Sequence, residues 1–189
     1  MTSKLIYFVT RSLDGYIEDE QGKIDWTALD EERQHFINDV LRPVGTHLYG
    51  RRMYETMQVW TQFGSSESDP SWARDFASIW RAADKVVYSK TLTQVSVPRT
   101  RLEHTFDVGG IREMKLRAAH DLVISGHELA AHAFRAGLVD EIKLHIAPII
   151  LGGGKKWLSE GVRLGLELVD ERRFKESGIE HLHYRVRTA

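Results

Sequence analysis

The sequence predicts an α/β fold: a mostly parallel central sheet with antiparallel carboxyl-terminal strands and flanking helices. Three observations carry that prediction. The short continuous apolar runs from Leu5 to Val9 and from Leu122 to Ile124 have the composition of strands covered on both faces. Strand patterns alternate with helical ones through roughly two thirds of the chain, the order that parallel βαβ units require. The last third turns to period-two alternation, in 141–148, 164–171 and 181–187, as antiparallel strands do.

The elements follow in order. After Leu5–Val9, Ser12-Leu13-Asp14-Gly15 is a turn, because Gly accepts positive φ and Asp can bond its own backbone. A polar segment, 16–27, leads to Asp30, which can cap a helix from about Glu31 to Leu41 that Pro43 ends. Thr46-His47-Leu48-Tyr49 is a strand closed by Gly50, and Arg51 to Trp60 restarts a helical pattern through Met53, Met57 and Trp60. The loop 64–70 precedes an apolar helical face of Trp72, Phe76, Ile79 and Trp80. Lys85–Tyr88 is a third strand, Arg101–Phe106 a fourth, and Ile111–Ala119 a helix.

The stretch Asp121–Gly137 organises the rest. Its period changes at Ser125-Gly126, where an apolar strand gives way to Leu129, Ala130, Ala133 and Phe134 at helical spacing. Strand, tight turn and helix follow one another. The free N–H groups of such a helix point beyond the strand's carboxyl end, where they favour an anion such as phosphate.

Composition narrows the function classes. The chain has 189 residues, 42% of them hydrophobic, enough for one domain spanning 1–189 with a substantial core. Lys and Arg number 26 against 27 Asp and Glu, so the positive field that duplex nucleic acid demands is missing. With no cysteine, disulfides, thiolate metal sites and cysteine nucleophiles are excluded. The apolar run after Lys4 is too short for a signal core or a membrane span, so a soluble, cytoplasmic protein is expected.

Several motifs fall short of the chemistry they suggest. His127 and His132 stand five apart, which leaves their rings about 140° apart around a helix, unlike the zinc-protease spacing. His181 and His183 share one strand face without a third ligand, and GxSxG is absent. No metal site is expected. Gly152-Gly153-Gly154-Lys155-Lys156 lacks the spacing of a phosphate loop, although its glycines would let backbone approach a ligand. Arg51 and Arg52 oppose the helix dipole, and a guanidinium suits a phosphate bidentately.

Taken together, Gly50-Arg51-Arg52-Met53-Tyr54-Glu55, Tyr88-Ser89-Lys90-Thr91-Leu92 and Ile124-Ser125-Gly126, each at a strand end, resemble the dihydrofolate reductase-like superfamily. Ser12-Leu13-Asp14-Gly15, Val139-Asp140-Glu141 and Pro148-Ile149-Ile150-Leu151-Gly152 look like its riboflavin-biosynthesis reductase branch. The resemblance implies NADPH across the carboxyl ends of the strands, with Arg51, Arg52, Ser89 and Lys90 around the 2′-phosphate and Gly50 and Leu129 also against the cofactor. Ser125, Gly126 and His127 would meet the pyrophosphate. Ser12, Gly15, Trp26, Gly152 and Gly153 would border the substrate, and Asp14, Glu31 and Glu32 are the candidate catalytic acids. The chain departs from the family at Ser125, where Gly is frequent, at Glu128, where dihydrofolate reductases place an arginine, and at Tyr7, near the riboflavin reductase's lysine.

The function implied is an NADPH-dependent reductase acting on a small planar heterocycle, pterin-, pyrimidine- or flavin-like. A non-catalytic nucleotide- or pterin-binding protein on the same fold is the alternative. The terminal strands and Glu141–Pro148 offer an edge or face to a second copy, so a homodimer is expected.

Overall fold

The computed structural model describes residues 2–27 and 30–187. In chain order the strands are β1 (Leu5–Ser12), β2 (Tyr16–Glu18), β3 (Val44–Gly50), β4 (Asp84–Tyr88), β5 (Thr100–Glu103), β6 (Asp121–Ser125), β7 (Glu141–Ala147), β8 (Lys155–Lys156), β9 (Gly165–Arg173) and β10 (Glu180–Arg187). The helices are α1 (Glu31–Leu41), α2 (Arg51–Met57), α3 (Ser71–Ala82), α4 (Val108–Arg117) and α5 (His127–Arg135), and a 3₁₀ turn, Gln58–Thr61, follows α2.

Eight strands form one sheet in the order β5-β4-β3-β6-β1-β7-β10-β9. From β5 to β7 every pairing is parallel, whereas β10 runs antiparallel to both β7 and β9. Continuous apolar strands have a direct cause here, since both faces are covered. Tyr7, Leu48, Val86, Leu122 and Ile124 pack on one face with Ile111 of α4 and Leu129, Ala130, Ala133 and Phe134 of α5. Tyr49, Val87 and Val123 pack on the other with Ile37 and Leu41 of α1, Tyr54 and Met57 of α2, and Phe76 and Trp80 of α3. Each such large side chain, fully buried, contributes roughly 1.5–3 kcal/mol.

That division fixes where a ligand can sit. β3 and β6 are neighbours, yet α2 leaves β3 toward one face and α5 leaves β6 toward the other. Their carboxyl ends therefore flank a crevice, the topological switch point at which open α/β sheets bind ligands.

Some boundaries differ from the sequence expectation. α2 ends at Met57 and tightens into the 3₁₀ turn instead of running on to Trp60. β5 stops at Glu103, short of Phe106. α4 starts at Val108, three residues before Ile111, because the Asp107 carboxylate accepts from the amides of Gly109 (3.0 Å) and Gly110 (2.9 Å) and so caps the helix ahead of Ile111. Asp107→Ala should lower stability by about 1 kcal/mol in urea unfolding; an unchanged midpoint would mean that packing alone holds the helix start. The pairing of β2 with β8 had no signal in the sequence, and β7 lies inside the sheet, so the edges belong to β5 and, on the antiparallel side, to β9, and not to Glu141–Pro148.

Candidate functional site

At the crevice, Gly50 is the last residue of β3 and Gly126 the N-cap of α5. Gly126 has φ +102°, a region that side-chain-bearing residues avoid, and a Cβ there would lie 3.9 Å from the Gly50 amide nitrogen. A Cβ on Gly50 would meet only open space. No side chain caps α5, so its first-turn amides face the crevice.

The cleft that opens here measures about 600 Å³, within the range of small-molecule sites. It is lined by Gly50, Arg51, Arg52, Ser89, Lys90, Gly126, His127 and Leu129, which brings together eight of the nine residues the resemblance placed around the cofactor. Ser125, the last residue of β6, is not among them.

Its charge is lopsided for a chain whose net charge is −1. Four cations, Arg51, Arg52, Lys90 and Lys155, face a single carboxylate, Glu128. Arg51 is steadied by Glu55 (2.7 Å) and by the Thr91 hydroxyl (2.9 Å), while Arg52 meets Glu18 only at 4.0 Å. Ser89 Oγ accepts from the amides of Thr91 and Leu92, which folds the strand exit into a tight turn beside the arginines. His127 Nδ1 is buried without a hydrogen-bond partner, an orphan that a ligand could satisfy. A cleft of about 680 Å³ opens at the amino ends of β3, β4 and β5, but Arg99, Arg101 and Arg117 in it are paired with Asp84, Glu103 and Glu113; in another of about 740 Å³ beside the start of β1, Lys4 is paired with Glu141 and Arg185 with Glu167.

Other lining residues were not among the expected site residues: Met53, Tyr88 and Thr91, although they stand in the motifs quoted above, Lys155 of the glycine-rich run, and His104, Phe106 and His132. Phe106 stacks on His132 with ring centres 5.6 Å apart and lies 5.5 Å from Tyr88, giving the cleft an aromatic wall. His104 Nδ1 is 2.9 Å from the Ser89 carbonyl oxygen. Any residue just past the carboxyl end of a parallel strand is a candidate at such a site; ending β5 three residues earlier would have exposed His104 and Phe106 as such.

The remaining candidates occupy the far side of β1. Ser12 is fully buried; its hydroxyl donates to Asp14 Oδ1 (2.7 Å) and accepts from the Tyr16 amide (2.9 Å). Asp14 also accepts from the amides of Leu151 (3.1 Å) and Gly152 (2.7 Å), tying the turn to the glycine-rich segment. The Ser12 hydroxyl, followed by those amides, holds the Asp14 carboxyl below its ordinary value. Gly15, at φ +95°, sits under Trp157, and Gly153 packs on Glu20. Trp26 donates its indole N–H to the Lys23 carbonyl and packs with Phe36 and Ile149 against Phe174 and Ile179. Glu31 is exposed, whereas Glu32 pairs with Arg172. Among the described residues no three His, Asp or Glu side chains gather as a metal would require.

Comparison with known proteins gives three kinds of likeness. The family model described as the RibD C-terminal domain matches residues 3–182. The uncharacterized protein YyaP of Bacillus subtilis is 27% identical over 183 residues, covering 96% of this chain and 94% of the relative. A riboflavin-biosynthesis protein structure from Shewanella sp. PV-4 aligns with a TM-score of 0.76 at 21% identity over 100% of both chains. Dihydrofolate reductase from Enterococcus faecalis, complexed with NADP(H), aligns with a TM-score of 0.65 at 12% identity, again over 100% of both chains. The last two likenesses are of fold.

Proposed function

Because the chain belongs to the RibD C-terminal domain family, we propose that it is an NADPH-dependent reductase that passes hydride to a small planar heterocycle of the pterin, pyrimidine or flavin kind. The observation that carries this reading is the cleft at the switch point, with four cations against one carboxylate and two glycines at its mouth. That donor set fits a phosphate-rich dinucleotide. Arg51, Arg52, Ser89 and Lys90 would hold the 2′-phosphate, and Gly50, Ser125, Gly126, His127 and Leu129 the pyrophosphate. When bound, the dihydronicotinamide supplies the hydride. The chain's own work is to orient the acceptor beside it and exclude water, through Ser12, Gly15, Trp26, Gly152 and Gly153.

A proton must also reach the reduced acceptor. Of Asp14, Glu31 and Glu32, Asp14 is engaged by the turn and Glu32 by Arg172, while Glu31 forms no ion pair among the described residues. Glu31 is therefore the proposed donor. The engagement of the other two favours a second reading, in which the fold retains a nucleotide or pterin without turnover. Following nicotinamide absorbance with NADPH and a panel of oxidised pterins, pyrimidines and flavins separates the readings. Consumption dependent on one acceptor class is expected; saturable binding with no consumption across the panel would favour the second.

Self-association as a homodimer is part of the proposal. β9 is exposed along its whole length and carries Leu166, Leu168 and Val169 at the sheet edge, an edge that a second copy would cover.

A further inference from the structure

The glycine-rich segment does something its sequence did not announce. β8 pairs antiparallel with β2, Lys155 opposite Glu18 and Lys156 opposite Tyr16, and forms a small arm beside the main sheet. Gly154 makes that pairing possible. It has φ +123°, and a Cβ there would come within 2.0 Å of the Glu18 carbonyl oxygen and 2.9 Å of the Asp19 carbonyl carbon, backbone atoms that cannot swing aside. The close approach sets the alternation: Lys155 turns into the cleft beside the Gly50 and Gly126 ends, while Lys156 turns out toward Glu160 at 3.2 Å.

The arm is fixed at four further points. The Trp157 amide donates to the Gly15 carbonyl (3.0 Å), its carbonyl accepts from the Tyr7 hydroxyl (2.8 Å), and its ring stacks on Tyr7. Ser159 Oγ lies 3.2 Å from His127 Nε2, which ties the arm to the first turn of α5. Lys155 is thus held over that turn by the fold, with its side chain only 25% exposed. Its one ion-pair partner among the described residues is Glu128, 3.8 Å away and 86% exposed, a pairing of little strength in water. A lysine so placed, facing free helix amides across a cleft, has an anion as its natural occupant.

We propose that Lys155 is a diphosphate-binding residue of this cleft and that Glu128 is the partner it exchanges for the ligand, a reading that rests on the dinucleotide site above. Arg51 and Arg52 distinguish NADPH from NADH; Lys155 acts on the diphosphate the two cofactors share. Loss of Lys155 therefore weakens both alike, and neutralising Glu128 strengthens both.

Tryptophan quenching in the wild type, Lys155→Met and Glu128→Gln, titrated with NADPH, NADH, ADP-ribose and adenosine 2′-phosphate, tests this. Lys155→Met should weaken the three diphosphates by a common factor of about ten or more, as expected for one charge-assisted hydrogen bond lost. Adenosine 2′-phosphate, which has no diphosphate, should stay within about threefold of wild type. Glu128→Gln should tighten the three diphosphates, and far-UV circular dichroism of both variants should match wild type. Wild-type affinity for NADPH in Lys155→Met, or an equal loss for adenosine 2′-phosphate, overturns the assignment while leaving the cofactor site intact. If the wild type binds none of the four, the dinucleotide reading itself fails and takes this assignment with it.

Discussion

Replacing Arg51 and Arg52 together by Ala is expected to weaken NADPH binding by two to four orders of magnitude and to leave NADH within about threefold. Two charge-assisted hydrogen bonds to a phosphate contribute roughly 1.5–3 kcal/mol each, and every 1.4 kcal/mol is about tenfold in affinity. The selectivity is the informative part, since only the 2′-phosphate differs between the two cofactors. Unfolding does not confound it. Both side chains are at least half exposed, and their pairs with Glu55 and Glu18 lie on the surface, where such contacts carry at most about 1 kcal/mol. Equal loss of both cofactors, measured by titration of the double variant, would contradict the assignment to the 2′-phosphate.

Stability should collapse between pH 7 and pH 5, driven by three buried histidines. His47 Nδ1 lies 3.0 Å from the Tyr49 hydroxyl oxygen, which accepts from the Trp80 indole N–H (3.2 Å). His145 accepts at Nδ1 from Arg33 Nε (3.0 Å), and His181 stands directly opposite it on β10, ring centres 5.0 Å apart. In His145 the accepting ring nitrogen already faces the Arg33 donor. Burial, reinforced by Lys85, pushes His47 down to about 3. Burial with Arg33 and His181 pushes His145 to about 2, and burial foremost pushes His181 to about 4. Once unfolded, all three titrate near pH 6.5. The unfolded chain then binds protons that the fold refuses, so stability is complete above about pH 6.5 and falls as the pH drops toward each folded value. At about 1.4 kcal/mol per group and pH unit, the slope approaches about 4 kcal/mol per unit near pH 5. Urea unfolding at pH 7 and pH 5 should differ by on the order of 4–6 kcal/mol; a flat profile would show that these rings protonate inside the fold.

Most of the sheet was legible because both of its faces are covered. Val86-Val87 and Leu122-Val123-Ile124 send alternate side chains to opposite cores, so each strand appears as an unbroken apolar run. Asp30 announced α1 because its carboxylate accepts from the Arg33 amide, a contact local in sequence. The β2–β8 arm was not legible. Its two strands have three and two residues, they lie far apart in the chain, and the requirement for Gly154 comes from a backbone 136 residues earlier, at Glu18. Gly50, Arg51, Ser89 and Gly126 could be gathered from the sequence because each ends a parallel strand or stands directly after one. Lys155 reaches the same cleft only through the arm, whose pairing is not local, while His104, directly after β5, was hidden by a strand expected to run on to Phe106. Asp14 shows the converse. An Asp-Gly turn reads equally as a turn or as an acid beside a substrate, and only the amides of Leu151 and Gly152, from the other end of the chain, reveal its attachment.

The most direct measurement is a titration of the wild-type protein with NADPH and with NADH, followed by tryptophan emission, five tryptophans being available as donors to the nicotinamide. Saturable binding of NADPH, tighter than NADH by at least about tenfold, is the result expected if Arg51 and Arg52 face a 2′-phosphate. Failure to bind either cofactor would contradict the dinucleotide reading of the cleft.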